Sequence, residues 1–227
     1  MGTEEVRPSF YALRPGGWRD YVTLLHPPYT AWHLSYVAVG AAIAPQFHLE
    51  RLVWALVAFA LALGVSAHAL DELKSRPLRT EIGSTTLAVL AIASLVGAAA
   101  IGIWAALAWG LGLLAFVAVG AFLVPAYNLE LFGGRFHSDW WFALSWGAFP
   151  ALTGFFVEAQ SIRLEAVVVA AYATALSLAQ RRLSTSVRHA RRTRGTLAGV
   201  EPLEQVLRTL GAAAVLLACG LVAARLT

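Results

Sequence analysis

Residues 85–125 read TTLAVLAIASLVGAAAIGIWAALAWGLGLLAFVAVGAFLVP and carry no charged side chain. At a rise of about 1.5 Å per residue, this stretch can cross a hydrocarbon layer of about 30 Å twice. Small residues between Gly97 and Gly102 allow neighbouring helices to approach closely. The stretch therefore predicts a hairpin of two transmembrane helices that turns in the region of Trp104 to Gly110.

The rest of the chain has the same character. Hydrophobic residues make up 59% of the 227 residues and charged residues only 13%, which is too apolar for an ordinary soluble domain. The apolar blocks predict an all-α, polytopic membrane bundle of about seven transmembrane helices, and six or eight stay open because the third and fourth blocks nearly merge. The predicted spans are Ala31–Pro45, Leu52–Leu70, Thr85–Ala105, Leu107–Pro125, Trp140–Val157, Ala166–Ala179 and Val206–Ala224.

The domain organisation that follows is simple. Residues 1–28 form a polar N-terminal lead-in without the apolar core of a signal peptide, so we expect no cleavage. Residues 29–227 form a single transmembrane domain with polar loops near 71–84, 126–139 and 180–204. The lone Cys219 lies inside the last span, which excludes a disulfide framework.

Basic residues mark one side of the predicted bundle. They precede the first span and follow the second, fourth and sixth spans, whereas the alternate loops hold only Arg51 and Arg163. Short basic loops stay in the cytoplasm, so the N-terminus and the three polar loops are predicted to be cytoplasmic in a multi-pass protein of the cell (inner) membrane. The net charge of +4 then reflects topology and contact with membrane lipid, and no nucleic-acid partner is expected.

A first polar cluster follows the second span. His68, Asp71 and Glu72 are spaced i, i+3 and i+4, which predicts that they share one helical face. Two carboxylates and an imidazole suit a divalent cation, and the carboxylates favour Mg²⁺. Arg76 and Arg79 come next and could hold phosphate. The alternative is a charge network at the membrane surface, with Glu72 paired to Arg76 and His68 bonded to a neighbouring helix.

A second polar cluster, Tyr127 to Asp139, follows the fourth span. It offers Glu130, His137 and Asp139 on the same predicted side of the membrane, although Asp139 could instead cap the next helix. Trp140 and Trp141 suit the membrane interface. His26 and His33 are interpreted as hydrogen-bonded structural residues, and His48 and His189 as loop residues without a role.

Four pieces of the sequence follow one another in order. They are Leu25-His-Pro-Pro-Tyr29 with Gly40–Pro45, the first polar cluster with its ending Arg76-Pro-Leu78, Tyr127, and Phe142-Ala-Leu-Ser-Trp-Gly147. In this order and spacing they resemble the UbiA-type intramembrane prenyltransferase superfamily, and the resemblance covers about the first two-thirds of the chain.

The resemblance implies a helical bundle around a lateral cavity that binds a polyisoprenoid diphosphate with Mg²⁺. It further implies an enzyme that transfers the prenyl group to a small or lipid acceptor that the sequence does not identify. The residues assigned on this basis fall into three sets. The catalytic set is Asp71, Glu72, Glu130 and Tyr127; the diphosphate set is Arg76, Arg79, Arg135, Arg181, Arg182 and Arg188; the metal set is His68, Asp71, Glu72, Glu130 and Asp139.

The chain departs from the family at its acidic motifs. Setting the Asn of N-D-x-x-D-x-x-x-D on His68 places Ala69, Glu72 and Arg76 at the acidic positions. The second motif, D-x-x-x-D, falls on Ser177–Ser184, which contains no acid. One hypothesis is that the second polar cluster replaces it while the arginines after the sixth span grip the diphosphate directly.

Other functions stay open at this stage. A cyclase or phosphohydrolase would use the same diphosphate site. A non-catalytic lipid- or quinone-binding protein would keep the fold and lose the metal site. The five acids in two neighbouring loops favour an enzyme.

Overall fold

The computed structural model describes residues 7–194 and 199–227, and the side chains of 192–194 are not among those described. Residues 1–6 of the predicted lead-in and 195–198 of the predicted third loop therefore lie outside the described residues. Every regular element in the described chain is helical. The helices are α1 (Trp18–Leu24), α2 (Pro27–Ala42), α3 (Leu49–Ser75), α4 (Ser84–Trp109), α5 (Leu113–Asn128), α6 (Asp139–Ala159), α7 (Leu164–Arg194) and α8 (Glu201–Leu226).

The chain is a multi-pass helical membrane protein. Within the described residues, α3, α4, α6 and α8 are long and apolar enough to cross a membrane, and α5 is a shorter apolar helix. The total of seven crossings and the cytoplasmic N-terminus stay predictions. Large side chains such as Ile92, Leu107 and Leu216 are exposed along these helices, as expected where lipid surrounds the protein.

The core is built around α2, which packs backbone to backbone on α6. A Cβ atom added at Gly40 would collide with the carbonyl of Ala151, and one added at Gly154 would collide with the carbonyl of Val37. Because only glycine allows this approach, the two positions fix the spacing of the helices. Trp32 and Tyr36 of α2 are fully buried between α6, α7 and α8.

Two helices contain wide π-helical turns, Ala60–Ala67 in α3 and Leu144–Ala148 in α6. Histidine side chains donate hydrogen bonds to backbone carbonyls within these turns. His33 Nδ1 donates to the carbonyl of Trp146 at 2.8 Å, and His68 Nδ1 donates to that of Gly64 at 3.1 Å. Such turns are often found at functional sites, and both lie beside the site described below.

Two predicted boundaries are wrong. Residues 180–194, predicted as loop, continue α7, because Gln180, Ser184 and Val187 are buried at helical spacing, whereas Arg182, Thr185 and Ser186 between them are exposed. The hairpin turns at Gly110–Gly112 and not near Ala105, since Gly110 adopts a φ of 156° that ends α4. Elsewhere each predicted span falls within one described helix, apart from Ala31–Pro45, which runs past the end of α2.

Candidate functional site

A long apolar cleft runs between α3, α4, α5 and α6 and holds about 870 Å³ of empty space, counting the part that opens to the surroundings. Along α4 it is lined from Leu95 to Trp109, which corresponds to about 21 Å of helix. Its walls are almost entirely apolar, with Ser145 and Thr153 as the hydroxyl-bearing exceptions. The cleft thus has the length and chemistry to hold an extended hydrocarbon chain.

One end of the cleft meets Tyr127. Leu63, Val124 and Trp146 line the cleft and also pack around Tyr127. The rings of Tyr127 and Trp146 lie 5.6 Å apart, edge to face. The hydroxyls of Tyr127 and Ser145 are buried and have no hydrogen-bond partner among the described residues. Unsatisfied buried hydroxyls are costly, so a ligand or water that bonds to them would be favourable.

Beyond Tyr127 lie three charged side chains from two helices. Asp71 of α3 is within electrostatic reach of Arg181 and Arg188 of α7, and Tyr127 is within reach of all three. Arg181 pairs with Asp139, Nε to Oδ1, at 3.2 Å. Arg188 donates to the hydroxyl of Thr185 at 3.3 Å, but no described carboxylate lies within ion-pairing distance of it. Burial and the nearby Arg181 lower the pKa of Arg188.

Next to these charges, the N-terminal segment contributes the aromatic side chains of Tyr11 and His26, which pack against His68 of α3. The hydroxyl of Tyr11 lies 2.7 Å from His26 Nδ1, and the rings of His26 and His68 stack with centroids 4.0 Å apart. Burial lowers the pKa of His26, with further contributions from His68 and Arg188, so the imidazole is neutral near pH 7. Its Nε2 is buried and meets no described partner. We refer to Tyr11, His26, His68, Asp71, Tyr127, Arg181 and Arg188 together as the polar cluster.

Glu72 and Arg76 shape the loop after α3. Glu72 is fully buried, and its carboxylate accepts from the amides of Leu78 and Thr80 at 2.9 and 2.8 Å and from the Thr80 hydroxyl at 2.9 Å. Arg76 donates to the carbonyl of Ile82 at 2.6 Å and to the hydroxyl of Ser84 at 2.9 Å. Asp71 and Glu72 therefore have different surroundings: Asp71 lies within electrostatic reach of Arg181 and Arg188, whereas the Glu72 carboxylate bonds to the loop after α3.

The remaining predicted residues lie nearer the surface. Glu130 pairs with Lys74 at 2.7 Å, and this hydrogen bond lowers the pKa of Glu130. The side chain of Asp139 is 51% exposed, and the cap of α6 is Ser138, whose hydroxyl accepts from the amide of Trp141. The exposed residues Arg79, Arg135 and Arg182 lie outside the polar cluster. The roles predicted for these residues and for Glu72 and Arg76 stay predictions. Among the predicted site residues, the structure groups Tyr127, Arg181 and Arg188 with Asp71 and His68. Glu130 and Asp139 lie at the edge of this group, within electrostatic reach of Asp71 and Tyr127, respectively.

Several residues that the sequence analysis did not assign to a site have defined places in the structure. Tyr11 had no predicted role, His26 was interpreted as a hydrogen-bonded structural residue and His48 as a loop residue. Tyr11 and His26 complete the polar cluster, and the only sequence signal for them was the dense aromatic and histidine content near Pro27-Pro28. At the opposite end of the bundle, the amide and Nδ1 of His48 both bond to Glu158 Oε2 at 2.9 Å. His48 is therefore more than a loop residue. Its partner lies 110 positions away in the chain, which no local pattern reveals.

The fold and site together define a class: a helical membrane protein with a lipid-facing apolar cleft that ends at a polar cluster. A search of protein-family models and one of curated proteins found no match to this chain. Among solved structures, a UbiA homolog from Archaeoglobus fulgidus bound to Cd²⁺ matches 89% of this chain and 77% of that chain. The TM-score is 0.52 and the sequence identity 19%. The chain therefore has a UbiA-like fold.

The described residues do not fit the Mg²⁺ site expected from the sequence. No three side chains of His, Cys, Asp or Glu in the described chain converge as a metal site would require. Glu72, Glu130 and Asp139 have protein partners, which leaves Asp71 as a single carboxylate. Its neighbours Arg181, Arg188 and Lys74 are cations that would repel a divalent ion.

Proposed function

We propose that the protein is an integral membrane enzyme that acts on a polyisoprenoid diphosphate and transfers the prenyl group to a small or lipid acceptor. One observation carries the proposal. The apolar cleft ends at a group of unpartnered donors and arginines, so a single site can accept a hydrocarbon chain and its anionic end together. The UbiA-like fold supports the same assignment.

The chain of the lipid would occupy the cleft and its diphosphate the polar cluster. Burial of the hydrocarbon would supply binding energy, and the apolar walls would disfavour water beside the chain. Arg181 and Arg188 would contact phosphate oxygens, because guanidinium groups bind them in a bidentate manner. The Tyr127 hydroxyl lies where the two regions meet and would donate to the oxygen that bridges the chain and the diphosphate.

Transfer would begin with cleavage of the allylic C–O bond, whose electron pair leaves with the diphosphate. The arginines would stabilise the charge that develops on the leaving group. The rings of Tyr127 and Trp146 would face the allylic cation and stabilise it through their negative faces. The nucleophilic atom of the acceptor would then bond to the cation, and the proton it releases would pass to Asp71.

The polar cluster would face the cytoplasm of a cell-membrane protein. Its end of the bundle contains the arginines of the N-terminal segment, the loop after α3 and the C-terminal half of α7. Basic residues concentrate on the cytoplasmic side of membrane proteins. This side is also where water-soluble phosphorylated precursors are made available, so substrate entry and product release would be direct.

To test the function, the purified protein in detergent is incubated with a labelled prenyl diphosphate and with candidate acceptors that have been extracted from membranes. We expect saturable binding and conversion of the label into a prenylated product. Arg188→Gln should reduce both, and Asp71→Asn should reduce conversion while binding persists. The matched control is Arg163→Gln, which removes an exposed arginine outside the polar cluster and outside every predicted set.

A lipid- or quinone-binding protein without catalysis is the second candidate, because Glu72, Glu130 and Asp139 all have protein partners. In the same experiment it would bind a prenyl alcohol or quinone as tightly as the diphosphate and would release no pyrophosphate. A prenyl diphosphate that fails to bind at all would overturn the proposed enzyme.

A further inference from the structure

Three donors of the polar cluster are available to bind an anion. Arg188, Tyr127 and His26 come from α7, α5 and the segment before α2, and Arg188 is within electrostatic reach of the other two. The Tyr127 hydroxyl and His26 Nε2 are buried without a described partner, and Arg188 has no carboxylate at ion-pairing distance. A buried guanidinium that makes no close ion pair is unfavourable. An oxyanion among these donors would satisfy all three.

The tautomers of the two histidines agree with this assignment. A carbonyl only accepts, so the contact with Gly64 places the proton of His68 on Nδ1. His26 Nδ1 can accept from the Tyr11 hydroxyl, which leaves its Nε2 to carry the proton. Both the proton on His26 Nε2 and the Tyr127 hydroxyl are then available to an acceptor such as phosphate oxygen.

We propose that the diphosphate is held directly by arginine, tyrosine and histidine donors, and that its binding requires no divalent cation. The inference rests on the proposed function and adds to it how the anionic end is recognised. Arg181 and Arg188 are seven residues, or about two turns, apart on one face of α7, so their long side chains can approach the two phosphate groups from either side.

Asp71 has a different role in this arrangement. It balances part of the arginine charge when no ligand is present, and a diphosphate would replace it as the counter-ion. If Asp71 instead held a metal ion that bridges to the substrate, its removal would abolish binding. The variant Asp71→Asn therefore separates direct binding from metal-mediated binding, because it keeps the size of the side chain and removes only the charge.

The test measures equilibrium binding of a prenyl thiodiphosphate, an anionic analogue whose C–S bond resists cleavage. Binding to the full-length protein in detergent is measured once with EDTA and once with excess Mg²⁺. We expect dissociation constants within about threefold of each other, since direct contacts do not depend on the cation. Arg188→Gln should weaken binding by about 10- to 100-fold, as for loss of a charge-assisted hydrogen bond. Arg188→Lys should weaken it less, and Asp71→Asn should bind at least as tightly as the wild type.

Controls define what the protein recognises. Arg163→Gln, which removes an exposed arginine outside every predicted set, should bind like the wild type, and thermal unfolding of each variant verifies that it is folded. Competition by inorganic pyrophosphate alone and by prenyl alcohol alone separates recognition of the anionic end from recognition of the chain. Pyrophosphate should compete in EDTA, and failure to compete there would overturn the inference.

The remaining outcomes separate the two proposals. Binding that disappears in EDTA and returns with Mg²⁺, or that is lost in Asp71→Asn, overturns direct recognition and leaves the enzyme assignment intact. Absence of binding in both buffers overturns the enzyme assignment and the inference with it.

Discussion

At the scale of single residues, the site has arginines on the stretch of α7 where the resemblance leads one to expect acidic residues. Ser177, Arg181, Ser184 and Arg188 are spaced by four, three and four residues and so share one face of α7. This is the segment in which the UbiA-type resemblance calls for two acids. Arginine at such positions binds phosphate oxygens directly, whereas carboxylates need a cation in between. In the proposed site, Arg181 in this segment and Arg188 after it would therefore hold the diphosphate without a cation.

Glu72 illustrates how a charged residue in the same loop can be structural. We expect Glu72→Ala to lower stability by about 3 kcal/mol, because it leaves the buried amides of Leu78 and Thr80 unpaired. For a chain of this size the loss corresponds to roughly 6–12 °C in the melting temperature. Thermal unfolding in detergent measures it, and prenyl diphosphate binding below the transition should change by less than about threefold.

The control for this variant is Glu81→Ala, which removes an exposed carboxylate from the same loop and should leave the melting temperature unchanged. A Glu72→Ala protein that melts like the wild type but has lost turnover would instead place Glu72 in the chemistry.

At the scale of helices, the π-helical turn Leu144–Ala148 links the cleft to the polar cluster. It presents Ser145 and Trp146 to the end of the cleft and places Gly147 against α7, the helix that carries both arginines. A Cβ atom at Gly147 would lie 2.6 Å from the carbonyl oxygen of Ala173 and from the hydroxyl of Ser177. The position of α7 therefore depends on the absence of a side chain here.

Gly147→Ala should consequently push α7 outward, at a cost of about 1–3 kcal/mol for overpacking, and weaken prenyl diphosphate binding by separating Arg181 and Arg188 from Tyr127. Melting temperature and binding affinity, measured on the same preparation, provide the test. Gly220→Ala is the matched control, because no atom lies within 4 Å of the added Cβ in α8. It should be neutral or stabilising by up to about 1 kcal/mol. Equal behaviour of the two variants would contradict the argument.

At the scale of the whole molecule, hydropathy predicted the positions of the helices well because lipid solvates only long apolar helices. It failed for α7 after Gln180, since a hydropathy average cannot recognise an arginine-rich helical extension that places Arg181 and Arg188 in the polar cluster. The site was less predictable. Asp71 and Arg188 are 117 positions apart in the chain and come within electrostatic reach only in the folded protein, so no local pattern predicts their proximity.

The motif register shows the same difficulty. With the family's Asn set on His68, Asp71 falls outside the acidic positions, although the structure places Asp71 in the polar cluster. Setting the Asn on Ala67 instead puts His68 and Asp71 on the first two acidic positions, and both belong to the polar cluster. A degenerate motif thus cannot be aligned reliably without the geometry.

The orientation of the bundle leads to the last prediction. The exposed Arg135 lies at the end that carries the polar cluster, and the exposed Ser161 lies at the other end, next to Gln160 and Gly110. In a Cys219→Ser background, Ser161→Cys should react with a membrane-impermeant maleimide on intact bacterial cells. Arg135→Cys should react only after lysis, because the basic end stays in the cytoplasm. The reverse pattern would place the polar cluster outside the cell, beyond the supply of cytoplasmic diphosphate precursors, and would count against both the topology and the proposed substrate.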